Sequence, residues 1–149
     1  MRLTTFTDYT LRVLMYLAIE PRRLATIPEM AAAYDISENH LMKVVHRLAR
    51  SGIIESVRGK GGGVRLALAP ADIRLGQVIR SSEGETSIVE CFSAENNACR
   101  LTPACRLTKI LADTFAGFYL ALDGYSLADL ITNPEQLGEL LAIKEAPLG

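Results

Sequence analysis

Three residues of this chain have the chemistry to hold a metal or exchange electrons: Cys91, Cys99 and Cys105, the only cysteines in the sequence. They share one segment, with seven and then five residues between them. An odd number of thiols cannot pair off completely within one subunit, which argues against a disulfide framework. Clustered thiols without a secretory signal point instead to metal or redox chemistry. A structural zinc site draws on four Cys or His ligands, commonly in CxxC pairs, and no such pair exists here. The two histidines, His40 and His46, fall on a different predicted element. Iron–sulfur clusters are held mainly by thiolates, so three cysteines can cap three irons and leave the last to another ligand. On spacing alone an iron–sulfur cluster, zinc and free thiols all stay open.

The elements that must position these thiols can be read along the chain. With 149 residues, 49% of them apolar, the sequence supports one domain, or one small domain with an appendage. Asp8 and Arg12 interrupt the apolar N-terminal run and no small-residue cleavage site follows, so a cytoplasmic protein is expected. No stretch has the length of a membrane helix, so no membrane partner is expected. Charge is divided: residues 1–70 carry ten Lys/Arg against six Asp/Glu, and residues 71–149 six against eleven. A basic half joined to an acidic half suggests that the first meets a polyanion.

Thr7 reads as the cap of a first helix, Asp8 to Glu20, stopped by Pro21, with Tyr9, Val13, Tyr16 and Leu17 on one face. Thr26 and Glu29 form a capping box that opens a short helix through Tyr34. Asp35-Ile36-Ser37 is a turn, and Ser37 caps a third helix, Glu38 to Ser51. Leu41, Val44, Val45 and Leu48 form its inner stripe, leaving Asn39, His40, Lys43, Arg47 and Arg50 outside. His40 is read as facing DNA and His46 as partly packed. Gly52 ends that helix. Two strand-like runs follow, Ile53–Val57 and Val64–Leu68, around the basic glycine loop Arg58-Gly-Lys60-Gly-Gly-Gly63. A helix-turn-helix followed by strand, basic loop and strand is a winged helix. The fold class is therefore mainly α with a small β-wing. The loop lacks the Lys-Ser/Thr pair and following helix of a phosphate loop. No nucleophile–base pair or paired carboxylates mark an enzyme.

Beyond Pro70 a short helix runs over Ile73, Leu75, Val78 and Ile79 to Gly84, and Ile88 and Val89 lead into the cysteine loop. From about Pro103 to Leu122 the residues Leu107, Ile110, Leu111, Phe115, Phe118 and Leu122 follow helical spacing. So long an apolar stripe needs a partner surface, either the same helix of a second subunit in a two-fold homodimer, the common solution, or the core of its own subunit. Ser126 caps a short helix, Asn133-Pro134 starts the last one, and the tail after Ala146 frays. This divides the chain into a DNA-binding winged helix (1–70), a linker helix with the cysteine loop (71–105), and a dimerisation helix with C-terminal helices (106–149).

The opening MRLTTFTDYTLRVLMYLA, the wing RGKGGGVRLA and the three-cysteine loop with its long helix together resemble the IscR/NsrR/RirA family of winged-helix iron–sulfur regulators. The resemblance covers nearly the whole chain. Three residues after the last cysteine, where the IscR branch carries a cluster-binding His, stands Thr108. Where the iron-sensing RirA branch carries Asn near the start of the first helix, this chain has Asp8, as the nitric-oxide-sensing NsrR branch does. The resemblance implies a 4Fe–4S cluster held by Cys91, Cys99, Cys105 and Asp8 of the partner subunit. It also implies a dimeric repressor on a palindromic double-stranded operator, released when nitric oxide attacks the cluster. Ser37, Asn39, His40, Lys43 and Arg47 would enter the major groove, and Arg58, Gly59 and Lys60 would follow the minor groove. A carboxylate binds such iron more weakly than a thiolate and leaves it more open to a small diatomic molecule. Taken without the resemblance, Asp8 is a first-turn acid paired with Arg12 at i+4. An iron or iron–sulfur status sensor of the same architecture is the alternative. An electron-transfer protein would leave the recognition helix and wing without a purpose.

Overall fold

The computed structural model describes residues 2–84 and 88–143. The first helix, α1 (Thr5–Ile19), begins a turn earlier than the sequence predicts, because Thr4 rather than Thr7 is its cap. The Thr4 hydroxyl accepts the Thr7 N–H at 3.2 Å. Thr4 is itself pinned from far along the chain, donating its N–H and hydroxyl to Glu83 Oε1 at 2.8 and 3.1 Å. Thr7, relieved of capping, is fully buried in the first turn. Val13, Leu14, Tyr16 and Leu17 carry α1 through the centre of the core.

Helix α2 (Ile27–Tyr34) opens with Thr26 accepting the Glu29 N–H, while Glu29 reaches back to the Thr26 hydroxyl. The other Glu29 oxygen receives Arg23 at 2.5 Å and the Tyr16 hydroxyl at 3.1 Å, which fastens the helix to α1. Asp35, at φ 52°, turns the chain into α3 (Glu38–Arg50), capped by Ser37. Leu41, Val44, Val45 and Leu48 of α3 are buried as their spacing predicts. Gly52, at φ 75°, lies in the left-handed region just past the end of α3, a place that favours glycine.

The wing pairs β1 (Ile54–Val57) antiparallel to β2 (Gly63–Leu66), with Ile54 opposite Leu66 and Val57 opposite Gly63. Both strands are shorter than the apolar runs that predict them. Ala25 adds a bridge that the sequence does not announce, exchanging two backbone hydrogen bonds with Val64 at 2.9 and 2.8 Å. This fixes the wing to the entrance of α2.

A turn of 3-10 helix (Pro70–Asp72) leads to α4 (Leu75–Glu83), which buries Leu75, Val78 and Ile79. Ile73 and Leu75 exchange backbone hydrogen bonds with Leu127 and Tyr125 at 2.8 and 3.0 Å. Leu127 thereby lies fully buried in the same core as α1. The long helix is α5 (Arg106–Asp123). It starts later than Pro103, which sits in its own 3-10 turn, Thr102–Ala104, closed by extended backbone at Cys105. Helix α5 packs on α4, where Gly76 leaves room for the Asp123 carboxylate and Arg80 pairs with Asp123 at 2.8 Å. No residue of α5 is fully buried, and Leu107, Ile110 and Leu120 are more than half exposed. Helix α6 (Pro134–Leu140) closes the described chain against α1. The tail after Ala146 lies outside the described residues. Among those residues, no helix is long and apolar enough to cross a membrane.

Candidate metal centre and nucleic-acid interface

All three thiols are unpaired. Cys91 lies in a 3-10 turn (Glu90–Phe92), Cys99 is exposed at mid-loop, and Cys105 forms the N-cap of α5. The loop is held by its own polar residues. Asn97 Oδ1 accepts the Cys99 N–H at 3.0 Å, and the Cys99 carbonyl accepts the Thr102 hydroxyl at 2.9 Å. Glu90 Oε1 accepts the Ala98 N–H at 2.6 Å, which folds the loop back on its beginning.

Two of the thiols converge on Thr108, one turn into α5. Its hydroxyl donates to Cys91 Sγ at 3.4 Å across seventeen residues of chain. The Thr108 backbone N–H, the largest cause, lowers the Cys105 thiol below its ordinary pKa together with the Leu107 N–H, the single Thr108 hydroxyl proton being shared between the two sulfurs. Exposed N–H groups at a helix N-terminus stabilise an anion in this way. Sequence reasoning registers Thr108 only as a missing histidine. Its signal was the spacing from Cys105, an N-cap cysteine with a hydroxyl residue three positions on.

Among the described residues, no three His, Cys, Asp or Glu side chains stand close enough together to hold a metal ion. The pair Cys91 and Cys105, set against anion-stabilising donors, fits thiolate ligands. Asp8 stands on α1, half exposed, with Arg12 Nε 3.0 Å from its Oδ2. In the metal-free chain, Cys105 is expected to alkylate at lower pH than free cysteine. Thr108→Val should raise its titration curve only part of the way, because the backbone donors remain. Iodoacetamide rates against pH measure this, and an ordinary thiol curve for the unaltered chain would contradict it.

The exposed side of α3 and the wing tip carry polar and cationic residues of the winged helix. Ser37 accepts the His40 N–H at 3.3 Å, fixing the N-terminus of α3. Asn39, His40 and Lys43 project from α3 into solvent, with the His40 ring 6.0 Å from that of Tyr9. His46 is exposed rather than partly packed, since it falls on the polar side of the helix beyond Val45. Arg58, Gly59 and Lys60 form an exposed wing tip, and Glu55 pairs with Arg65 across the strands at 2.5 Å. Arg47 differs from its neighbours. Its guanidinium donates to the Ser81 carbonyl at the end of α4 and lies 5.5 Å from the centre of the Phe6 ring.

A capped helix-turn-helix with an exposed polar second helix and a basic wing defines a DNA-binding transcriptional regulator, not an enzyme. The chain belongs to the Rrf2 family, described as an iron-dependent transcriptional regulator, whose profile matches residues 3–133. It is 47% identical over 146 residues to the HTH-type transcriptional regulator NsrR of Bacillus subtilis (strain 168), covering 97% of this chain and 100% of that one. The regulator of the same name from Geobacillus kaustophilus is 46% identical over 142 residues, covering 95% and 97%. Among solved structures, Staphylococcus aureus CymR matches with a TM-score of 0.68 at 26% identity, over 87% of this chain and 98% of that one. T. potens IscR matches with a TM-score of 0.72 at 23% identity, over 92% and 90%, a likeness of fold.

Proposed function

We propose that this chain is a homodimeric repressor that binds a palindromic operator and senses nitric oxide through a 4Fe–4S cluster. The observation that carries the reading is the convergence of Cys91 and Cys105 on Thr108 at the head of α5, with Cys99 on the loop between them. Relatives named NsrR, matched over nearly the whole chain, favour nitric oxide as the signal. The three cysteines and Asp8 of the partner subunit would hold the cluster, whose iron offers nitric oxide a site of attack.

The chain's own residues supply the rest. Ser37 fixes the start of the recognition helix, and Asn39, His40 and Lys43 read the major groove. Arg58, Gly59 and Lys60 lie along the minor groove, where glycine allows close approach to the phosphates. The exposed Leu107 and Ile110, which begin the apolar stripe of α5, support a two-fold partner, since an uncovered apolar stripe marks an interaction surface. A carboxylate donated between subunits would make the dimer geometry depend on the cluster. Recognition-helix spacing follows that geometry, and half-sites lie about one DNA turn apart or multiples of it.

The test is a visible absorption spectrum of anaerobically purified protein during titration with nitric oxide. A broad iron–sulfur band replaced by an iron-nitrosyl spectrum is the expected result. A colourless zinc protein would overturn the reading. A band indifferent to nitric oxide would favour an iron or iron–sulfur status sensor, the reading closer to the family's description as iron-dependent.

A further inference from the structure

We propose that Arg47 is a positioning residue that ties the recognition helix to the end of α4, rather than a side chain that reads DNA. Its place on α3 is one turn beyond Lys43 and it is exposed, yet its guanidinium is bonded to another element of the same chain. It donates to the Ser81 carbonyl and stacks near the Phe6 ring of α1. Ser81 lies in the last turn of α4, where backbone carbonyls lack partners inside the helix. A cation placed there satisfies a carbonyl and meets the negative end of the helix dipole. Arg47 therefore caps α4 from another helix.

The same turn of α4 also holds α1. Glu83 Oε1 accepts both the N–H and the hydroxyl of Thr4, the cap of α1. Phe6, against which Arg47 stacks, follows two residues later. One turn of helix thus joins the start of α1 and the recognition helix. The chain leaving that turn reaches Cys91 eight residues after Glu83. Residues 84–90 join this turn to Cys91 and Arg47 joins it to α3, so a displacement carried along that stretch would reach the recognition helix. This coupling to the cysteines rests on the function proposed above; the placement of Arg47 does not.

The experiment uses the full chain and a palindromic duplex selected by the unaltered protein from a random-sequence pool. Arg47→Met keeps the apolar stem and removes the charge; Phe6→Leu removes the ring and leaves Arg47 in place; Lys43→Ala is the comparison for a direct contact. Affinity is measured against salt and against single-base variants of the duplex, for protein as purified anaerobically and after chelation. Arg47→Met is expected to weaken binding about tenfold and to narrow the difference between cluster-loaded and metal-free protein. Phe6→Leu should act in the same direction. Both should leave the salt slope and the ranking of base variants unchanged, whereas Lys43→Ala lowers the slope by about one. A slope reduced by Arg47→Met, lost discrimination at one base pair, or unchanged affinity in both variants would overturn the proposal. Unaltered protein without an iron–sulfur spectrum would remove the cluster reading alone. The salt and base-variant measurements would still decide the role of Arg47.

Discussion

Cys99→Ala is expected to leave a folded protein whose affinity for its operator falls by about 5–150-fold, the usual range for a coupling between two sites. The expectation is sharp because the structure gives the Cys99 side chain little else to do. Its thiol is exposed and unpaired. The contacts that hold this part of the loop run through the backbone, from the Cys99 N–H to Asn97 and from Thr102 to the Cys99 carbonyl. Alanine preserves all of them. A loop that served only as a connection would lose nothing measurable, since exposed substitutions away from special contacts usually change stability by less than about 0.5 kcal/mol. Circular dichroism and a melting curve check the fold, and a mobility-shift titration under anaerobic conditions checks binding. Operator affinity equal to that of the unaltered protein would remove the cluster from the switch.

The sequence announces its winged helix because most of the determinants are local. Thr26 and Ser37 cap helices that begin immediately after them, and Leu41, Val44, Val45 and Leu48 declare the inner face of α3 by spacing alone. The errors come where a residue answers to a distant partner. Thr4 caps α1 with the support of Glu83, 79 positions away, so a reader of the first ten residues chooses Thr7. Arg47 is the outward cation that its spacing predicts, but its bond to the Ser81 carbonyl, 34 positions on, has no local signal. The cysteine spacing was plain, but the Thr108 link to Cys91 depends on how the loop closes, which no local pattern encodes. The apolar stripe of α5 was equally legible. One chain covers only the side that meets α4, so its meaning lies in what a second surface adds.

Gly62→Ala is the second substitution expected to have a large effect, and it separates the wing from the helices. The loop of glycines reads from sequence as a way for backbone to approach phosphate. The structure adds an internal reason at Gly62. A Cβ there would stand 2.2 Å from the Val57 carbonyl oxygen and 3.0 Å from that of Gly59, both backbone atoms that cannot swing aside. The Gly62 N–H also donates to the Gly59 carbonyl at 3.0 Å, closing the tip that carries Arg58 and Lys60. Alanine must therefore open this turn, at a cost of about 1–3 kcal/mol, the scale of local backbone strain. The helices bury their stripes independently of the tip, so the melting temperature should fall by only a few degrees. Operator affinity should fall about tenfold or more, because each displaced cation removes a phosphate contact and its share of counterion release. The salt slope should fall with it. A Gly62→Ala protein that keeps both its affinity and its slope would show that the wing tip lies away from the DNA. Arg58 and Lys60 would then belong to the solvated surface rather than to the interface.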